Sequence, residues 1–507
     1  MSTKMTGLPL RTLLDRDLYT AYGFERIAFV EGYRNFELDE VSIRGRFSRN
    51  ISLAHPFVSS PMGTVTGLAI AVRAALNGGI GVLPSTFTPE EQRELVLYIK
   101  SLVIQPAITP IPFTLSLNDK IARALDTDYS NLPLTRDGSP QSEFIGTYER
   151  EDSDMRLAND QLRTRMVRRD ASGVSLADIP MQDGLLDTAF LHNLMVKRGR
   201  RSLVVYNEKL WPMYLVTLKD LESNHSYRDA TLDREGRLAV TCAVTKYDYE
   251  HPETLRVLIE AGADALVIDT ARSSEKKVEL TIQVIKQLRN ELNRPCDIIA
   301  GNCASRQGAR RLLELGVDGL RVGQGIGSIC ITPMANGVWM PQLTAVYECA
   351  DEAREYGVPV CADGGLETNS DTLAVIAAGA QCVMFGSRFA GTHESPAKIV
   401  GDDWRKKRHI GMGSHEAWAE SNRAIMHHSG TAIARPLVEE GAPIIVRVSG
   451  HVDRLFAEMS EGLLRSLHAI GIRNIPQSHN ALWNYKGPYV ILVDPSAFRV
   501  RGLHGGI

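Results

Sequence analysis

The sequence predicts an α/β fold, a (β/α)8 barrel that carries an inserted accessory domain. Short apolar segments alternate with helical segments along most of the 507 residues, and this alternation is typical of a parallel sheet. Two such strand–helix units precede residue 102 and six follow residue 225, which makes the eight units of a closed barrel. Glycine or polar residues follow most of the strands, so we expect the functional site at the carboxyl end of the barrel.

The first two units occupy residues 1–101. Residues 56–60 and 78–83 are apolar runs of strand length, and a helical pattern over 68–76 lies between them. The second helix is expected to begin after Thr88, because a threonine cap, a proline at the first helical position and early glutamates mark a helix start.

The remaining six units occupy residues 226–507. Their strands are predicted at 239–244, 265–270, 297–302, 319–322, 359–363 and 382–387, with helices at 252–261, 275–292 and 305–316. These strands lead into polar or glycine-rich positions, namely Asp269, Asn302, the loop 323–332, Asp363 and Gly386-Ser387. One aspartate in such a place is most often a helix cap, but several polar strand ends at one barrel mouth favour a ligand site.

Residues 102–225 interrupt the alternation, and we interpret them as an accessory domain in the loop after the second unit. An insertion there leaves the barrel intact. Acidic residues cluster at 149–154 and arginines at 163–169. A solvated charged face explains such clusters as well as a binding surface does.

Composition argues against several classes of function. The formal net charge of −3 lacks the basic excess of a general nucleic-acid binder. No apolar run approaches the roughly 20 residues that span a bilayer, and the first residues lack the apolar core of a secretion signal. The seven cysteines lie between residues 242 and 382 without a CxxC pair, which predicts a reducing, cytoplasmic environment rather than disulfides or a zinc site.

The most informative stretch is the loop after the sixth strand, GQGIGSICIT at residues 323–332. Its alternate glycines allow a tight turn whose backbone approaches a ligand closely. Cys330, with Thr332 beside it, is a candidate covalent nucleophile, although a glycine-rich turn with an inert cysteine is the alternative. The glycines at 364–365 and Gly386-Ser387 fit the phosphate site that barrels build after strands seven and eight, so the ligand is expected to be a nucleotide or sugar phosphate.

Five stretches carry a resemblance to a known family. They are VSSPMGTVT at 58–66, GN at 301–302, the loop 323–332, ADGG at 362–365 and GMGS at 411–414. In this order they resemble the IMP dehydrogenase/GMP reductase family, and the likeness covers almost the whole chain outside 102–225. The resemblance implies an oxidoreductase of purine mononucleotides, an insert made of two CBS modules, and a homotetramer or octamer.

The resemblance also implies roles for matching residues. Cys330 would attack C2 of the purine, Thr332 would relay protons, and Arg423 and Glu440 of the flap would complete the catalytic group. Substrate contacts would come from Met62, Asn302, Ser328, Asp363, Gly365, Gly386, Ser387, Met412, Gly413 and Glu440. The coenzyme, NAD or NADPH, would meet Asp269, Thr270, Gly323 and Gly325, and a potassium ion would meet the backbone carbonyls of Gly325, Gly327 and Cys330. The arginines at 163–169 and the basic run at 197–201 would be candidates for binding regulatory ATP or GTP.

Several positions depart from the family pattern. The dehydrogenase flap carries an Arg-Tyr pair that activates water, but Ala424 follows Arg423 here. Gly63 stands in place of an aspartate, and His409 in place of a tyrosine. Arg272 changes the coenzyme loop and would suit the 2′-phosphate of NADPH, although an exposed helix-capping arginine is equally compatible.

These departures leave three hypotheses for the function. The length of the flap and the motif SICIT at residues 328–332 favour IMP dehydrogenase. That enzyme converts IMP, NAD and water to XMP and NADH. GMP reductase, which converts GMP and NADPH to IMP and ammonia, is the alternative. A non-catalytic purine-nucleotide sensor is a more distant one, because such a protein need not keep Cys330 and Thr332.

Overall fold

In the computed structural model, residues 8–15, 21–111, 113–127, 129–223, 227–429 and 437–493 are described. Eight parallel strands close a barrel in chain order, which confirms the predicted fold. The strands are β1 Phe57–Ser59, β2 Ile80–Leu83, β3 Thr241–Val244, β4 Ala265–Asp269, β5 Asp297–Cys303, β6 Gly319–Val322, β7 Val360–Asp363 and β8 Cys382–Phe385.

Eight of the described helices surround the barrel. They are α1 Leu68–Leu76, α2 Pro89–Lys100, α3 Pro252–Ala261, α4 Lys276–Leu292, α5 Arg306–Glu314, α6 Gln342–Tyr356, α7 Asn369–Ala377 and α8 Val452–Ala469. The predicted start of α2 is confirmed: the Thr88 hydroxyl accepts from the Glu91 N–H, and the Glu91 carboxylate accepts from the Thr88 N–H. Such a capping box satisfies two backbone donors that the helix leaves free.

The amino end of the barrel is filled by its own chain. A hairpin of Gly45–Arg46 and Ser52–Leu53 brings Phe47 and Ile51 against the inward-facing side chains of the strands. Those side chains are small or aliphatic, and packing them excludes water from the interior. The interior of the barrel is therefore closed at this end.

The segment between α2 and β3 forms two four-stranded sheets. One contains Ile108–Pro110, Gly173–Ser175, Ser202–Tyr206 and Pro212–Thr217, and the other Leu115–Ser116, Asn131–Thr135, Phe144–Glu149 and Met166–Arg168. The segment also contains the helices Ile121–Leu125, Arg169–Ser172, Thr188–Arg198 and Leu218–Ser223 and the hairpin Met181–Gln182 with Leu185–Leu186. Within the described residues these strands pair only with one another. The CBS-pair interpretation stays a prediction.

Several arginines of this segment already have carboxylate partners. Arg165 pairs with Glu151 and Asp154, and Arg169 pairs with Glu143. The segment also contacts the barrel through aromatic rings, since Tyr129 lies 4.4 Å from the ring of His451 between centroids.

The other elements lie around the barrel. The sheet of Leu8–Pro9, Ile27–Phe29 and Tyr489–Leu492 joins the two ends of the chain, and the sheet of Ile399–Val400, Asp403–His409 and Ile444–Arg447 lies beyond β8. Further helices are Leu10–Asp15, Thr332–Asn336, Ser387–Ala390, His415–Ser429 and Ile475–Trp483. Short 3-10 turns cover Phe24–Arg26, Leu38–Glu40, Asp152–Leu157, Leu162–Thr164, Leu176–Asp178 and Asp248–Glu250. Among the described helices, none is long and apolar enough to cross a bilayer.

Acidification is expected to destabilise the fold through His479. Its ring Nε2 donates to the carbonyl oxygens of Ile376 and Ala380, both at 3.1 Å, and burial lowers the pKa of His479 to about 4. The unfolded chain, with a histidine pKa near 6.5, takes up a proton first as pH falls. The free energy of unfolding should therefore fall by about 2 kcal/mol between pH 7 and pH 5 through this residue.

Urea unfolding at both pH values measures this change. In the His479→Gln variant, the free energy of unfolding should change less between the two pH values than in the unaltered protein. An equal change in both proteins would contradict the assignment to His479.

Candidate active site

Arg321 joins two strand ends at the carboxyl mouth of the barrel. Its guanidinium donates from Nη1 to Asp269 Oδ1 at 2.7 Å and from Nε to Asp363 Oδ2 at 2.8 Å. Burial opposes the charge, but the two carboxylates outweigh it and raise the pKa of Arg321. The predicted coenzyme residue and the predicted ribose residue are thus fixed relative to each other.

Asn302 extends this network to the cysteine loop. Its side-chain amide donates to Asp363 Oδ2 at 2.9 Å and to the carbonyl of Gly323 at 2.7 Å. A Cβ at Gly323 would lie 2.0 Å from the carbonyl oxygen of Asp363, and its φ of 149° is also unsuited to a side chain. Only glycine lets the loop leave β6 this close to β7.

A continuous hydrogen-bond chain runs from the Cys330 thiol to a carboxylate. The Cys330 S–H donates to Thr332 Oγ1 at 3.1 Å, and the Thr332 hydroxyl donates to Glu440 Oε2 at 3.0 Å. The other oxygen of Glu440 accepts from Asn336 Nδ2 at 2.9 Å and pairs with Arg272 Nη2 at 3.3 Å. Such a chain can carry a proton from the thiol to the carboxylate.

Backbone hydrogen bonds bring Glu440 to the loop. The Ile331 N–H donates to the Glu440 carbonyl, and the Ala442 N–H to the Ile329 carbonyl, both at 3.0 Å. On the other side, the Glu440 N–H donates to the Gly413 carbonyl at 3.0 Å. A Cβ at Gly413 would lie 2.8 Å from the Glu440 carbonyl carbon, so glycine permits this close approach.

A cavity of 470 Å3 opens beside the loop. The hydroxyls of Ser328 and Ser387 lie 2.6 Å apart at its wall. The cavity brings together most of the predicted substrate residues: Met62, Ser328, Asp363, Gly365, Gly386 and Ser387. Paired hydroxyls and glycine amides are suitable donors for a phosphate group.

The sequence interpretation missed Arg388, which lines the same cavity. Its Nη1 is buried without a hydrogen-bond partner, and it forms no ion pair within the described part of the chain. Burial lowers the pKa of Arg388. A buried guanidinium nitrogen without a partner is costly unless an anion joins it. An arginine directly after the predicted phosphate residues was the available signal.

His409 also lines this cavity. Its Nδ1 lies 2.8 Å from the Thr64 hydroxyl, and burial lowers its pKa to about 4. The ring is therefore neutral at physiological pH and contributes a hydrogen bond rather than a charge.

Other predicted residues are not part of these contacts. Arg423 is exposed on the helix His415–Ser429, and no described contact joins its side chain to Cys330, Thr332 or Glu440. Ala424 beside it is 1% exposed. Thr270 donates its hydroxyl to the carbonyl of Arg272 at 3.1 Å, and Met412 is partly buried. Flap residues 430–436 lie outside the described residues.

The carbonyls predicted to bind potassium differ in availability. The Gly327 carbonyl accepts from the Cys330 N–H at 2.9 Å. Those of Gly325 and Cys330 accept no hydrogen bond from the residues that the structure covers. Carbonyl oxygens are the ligands that potassium takes in proteins, so the loop fits the ion in part. The described side chains contain no His, Cys, Asp or Glu cluster that could hold a metal.

Comparisons with known proteins agree with this geometry. Residues 21–485 match the model of the IMP dehydrogenase / GMP reductase domain. Inosine-5′-monophosphate dehydrogenase of Chlorobaculum parvum is 31% identical over 480 residues, which cover 92% of this chain and 93% of that protein. The enzyme of the same name from Thermoplasma acidophilum is 32% identical over 460 residues, which cover 90% of this chain and 89% of that protein.

A solved structure matches over a similar length. A cysteine-to-alanine variant of GMP reductase from Trypanosoma brucei, in complex with guanosine 5′-monophosphate, superposes with a TM-score of 0.65. It is 28% identical, and the match covers 97% of this chain and 99% of that chain.

We expect Cys330 to be the fast-reacting thiol of the folded protein. It is partly exposed, whereas the other six cysteines are buried. Thiol alkylation followed by peptide mass spectrometry should modify Cys330 first. Glu440→Gln should slow this reaction several-fold, because the amide replaces the proton acceptor at the end of the chain. Equal rates in both proteins, or earlier labelling of a buried cysteine, would contradict the relay.

Proposed function

Because the chain belongs to the IMP dehydrogenase/GMP reductase family, whose members are oxidoreductases, we propose that it oxidises IMP to XMP with NAD and water. The observation that carries this proposal is the chain of hydrogen bonds from Cys330 through Thr332 to Glu440. It connects a nucleophile to a proton acceptor through a single hydroxyl group.

The chemistry assigns a step to each group. The Cys330 thiol loses its proton through Thr332 to Glu440, and the sulfur then bonds to C2 of the purine. Hydride leaves C2, and the nicotinamide coenzyme supplies the hydride acceptor when it is bound. Glu440 then releases the thiol proton to solvent. Water adds to C2 and passes one proton through Thr332 to Glu440. The C–S bond breaks, and that proton returns to the sulfur, which regenerates the thiol.

The surroundings of Glu440 direct one of its oxygens to the relay. Arg272 and Asn336 both present donors to its Oε1, and its Oε2 accepts from the Thr332 hydroxyl. This contact can pass a proton in either direction, so it serves oxidation and reduction alike. Oxidation is favoured by the relatives named inosine-5′-monophosphate dehydrogenase, which are 31% and 32% identical to this chain.

GMP reductase remains the second candidate, because the flap lacks the Arg-Tyr pair. Ala424 stands at the position of the tyrosine and is buried. The matching solved structure of a GMP reductase over 97% of the chain also supports this candidate. A non-catalytic nucleotide sensor has less support, since such a protein has no need of the intact relay.

The remaining ligands and the assembly are proposed from the roles that membership of the family implies. The nucleotide would place its phosphate at Ser328, Gly365, Gly386 and Ser387, with its ribose at Asp363 and its base towards Met412. The coenzyme would lie against Asp269 and Thr270, and potassium against the loop carbonyls. The inserted segment would bind ATP or GTP, and the functional assembly would be a homotetramer or octamer.

The proposal predicts the reaction that the purified protein catalyses. IMP with NAD and potassium should give NADH, followed at 340 nm, whereas GMP with NADPH should show no loss of absorbance. Cys330→Ala should abolish activity, and omission of potassium should reduce it. Consumption of NADPH with GMP alone would overturn the proposed direction and establish the reductase.

Arg388 is expected to bind the nucleotide phosphate. Arg388→Leu should weaken IMP binding roughly tenfold to a hundredfold, the value of a hydrogen bond to a charged group. Binding of inosine, which has no phosphate, should stay unchanged in calorimetry.

Arg465→Leu is the matched control, because Arg465 is exposed and pairs only within its own helix among the described residues. Unchanged IMP affinity in Arg388→Leu would exclude this role of Arg388. Weaker binding of inosine as well would show a general structural effect.

A further inference from the structure

A second cavity lies at the amino end of the barrel, at the opposite end from Cys330. It has a volume of 650 Å3. Its walls come from the hairpin below β1, the end of α6, the starts of β7 and β8, and the helix Ile475–Trp483. The catalytic proposal uses none of these residues.

The lining combines arginines with apolar side chains. Arg44, Arg46 and Arg354 face the cavity, and no aspartate or glutamate of the described residues lines it. Leu53, Val358 and Trp483 are among the apolar lining residues. A concave site lined by charges of one sign concentrates their potential and attracts ligands of the opposite sign.

The charges of these three arginines are only weakly balanced by neighbouring carboxylates. Arg44 meets Asp229 at 3.4 Å with 68% of its side chain exposed, and Arg354 meets Asp351 at 3.6 Å with 46% exposed. Long, exposed contacts of this kind contribute little and leave the guanidinium able to turn towards a ligand. Arg46 donates from Nε to the neutral side chain of Gln381 at 3.1 Å.

We propose that this cavity binds a small organic anion that carries at least two phosphate or carboxylate groups on a short apolar body. The anionic groups bridge Arg46 of the hairpin and Arg354 of α6, with Arg44 at the rim. Such pairing is strongest where a planar guanidinium meets a carboxylate or phosphate. The chain's own residues 494–507 are a poor occupant, because they carry two arginines and one aspartate.

Calorimetry on the full-length protein tests the site, with inorganic tripolyphosphate and citrate as probes. Saturating IMP is added first, so that binding at Ser328 and Ser387 does not contribute to the signal. We expect one of the two probes to bind, with an affinity that falls as salt rises. The tighter probe identifies phosphate or carboxylate chemistry.

The double variant Arg46→Gln with Arg354→Gln should weaken that binding at least tenfold. Arg465→Gln should leave it unchanged, and Arg354→Gln alone serves if the double variant does not fold. The proposal is overturned if neither probe binds, or if the arginine variants bind the probe as tightly as the unaltered protein does. It is also overturned if the double variant changes its oligomeric state without a change in affinity, because the cavity would then belong to a subunit interface. Because this site is separate from Cys330, activity assays remain independent of either result.

Discussion

The forked contact of Arg321 with Asp269 and Asp363 is the interaction on which the barrel mouth depends. A buried charge is tolerated only with well-placed partners, and the planar guanidinium meets both carboxylates at once. Arg321 belongs to the strand that leads into the cysteine loop, so the ends of β4 and β7 are held relative to that loop. Asn302 adds β5 through its bonds to Asp363 and Gly323.

The hydrogen-bond chain that begins at Cys330 ends on Glu440, a residue that lies outside the strands and helices of the barrel. Glu440 reaches Thr332 because its backbone lies between the cysteine loop and Gly413. The glycine is required there, since a side chain would collide with the Glu440 backbone. Backbone pairing on both sides of Glu440 therefore fixes the position of its carboxylate beside Thr332.

Arginines in this protein occupy two contrasting environments. Arg321 is buried between two carboxylates that satisfy it within the fold. Arg388 has a buried Nη1 without such a partner, and the arginines of the amino-end cavity have only long or neutral contacts. The first kind stabilises the architecture of the site, whereas the second kind leaves positive charge available to a ligand.

The sequence by itself determined the barrel, since strand and helix periods are local and polar residues at strand ends show in the order of residues alone. It also indicated the cysteine loop and most of the candidate residues around the cavity beside it, because each of these glycines and hydroxyls belongs to a short motif that is visible in the sequence. Only the tertiary structure decided which side chains contact one another. Arg321 looked like one polar residue in an apolar strand, and Glu440 lies 108 residues from Thr332. Whether an arginine is paired or free depends on what folding brings beside it, and neither strand period nor residue type carries that information.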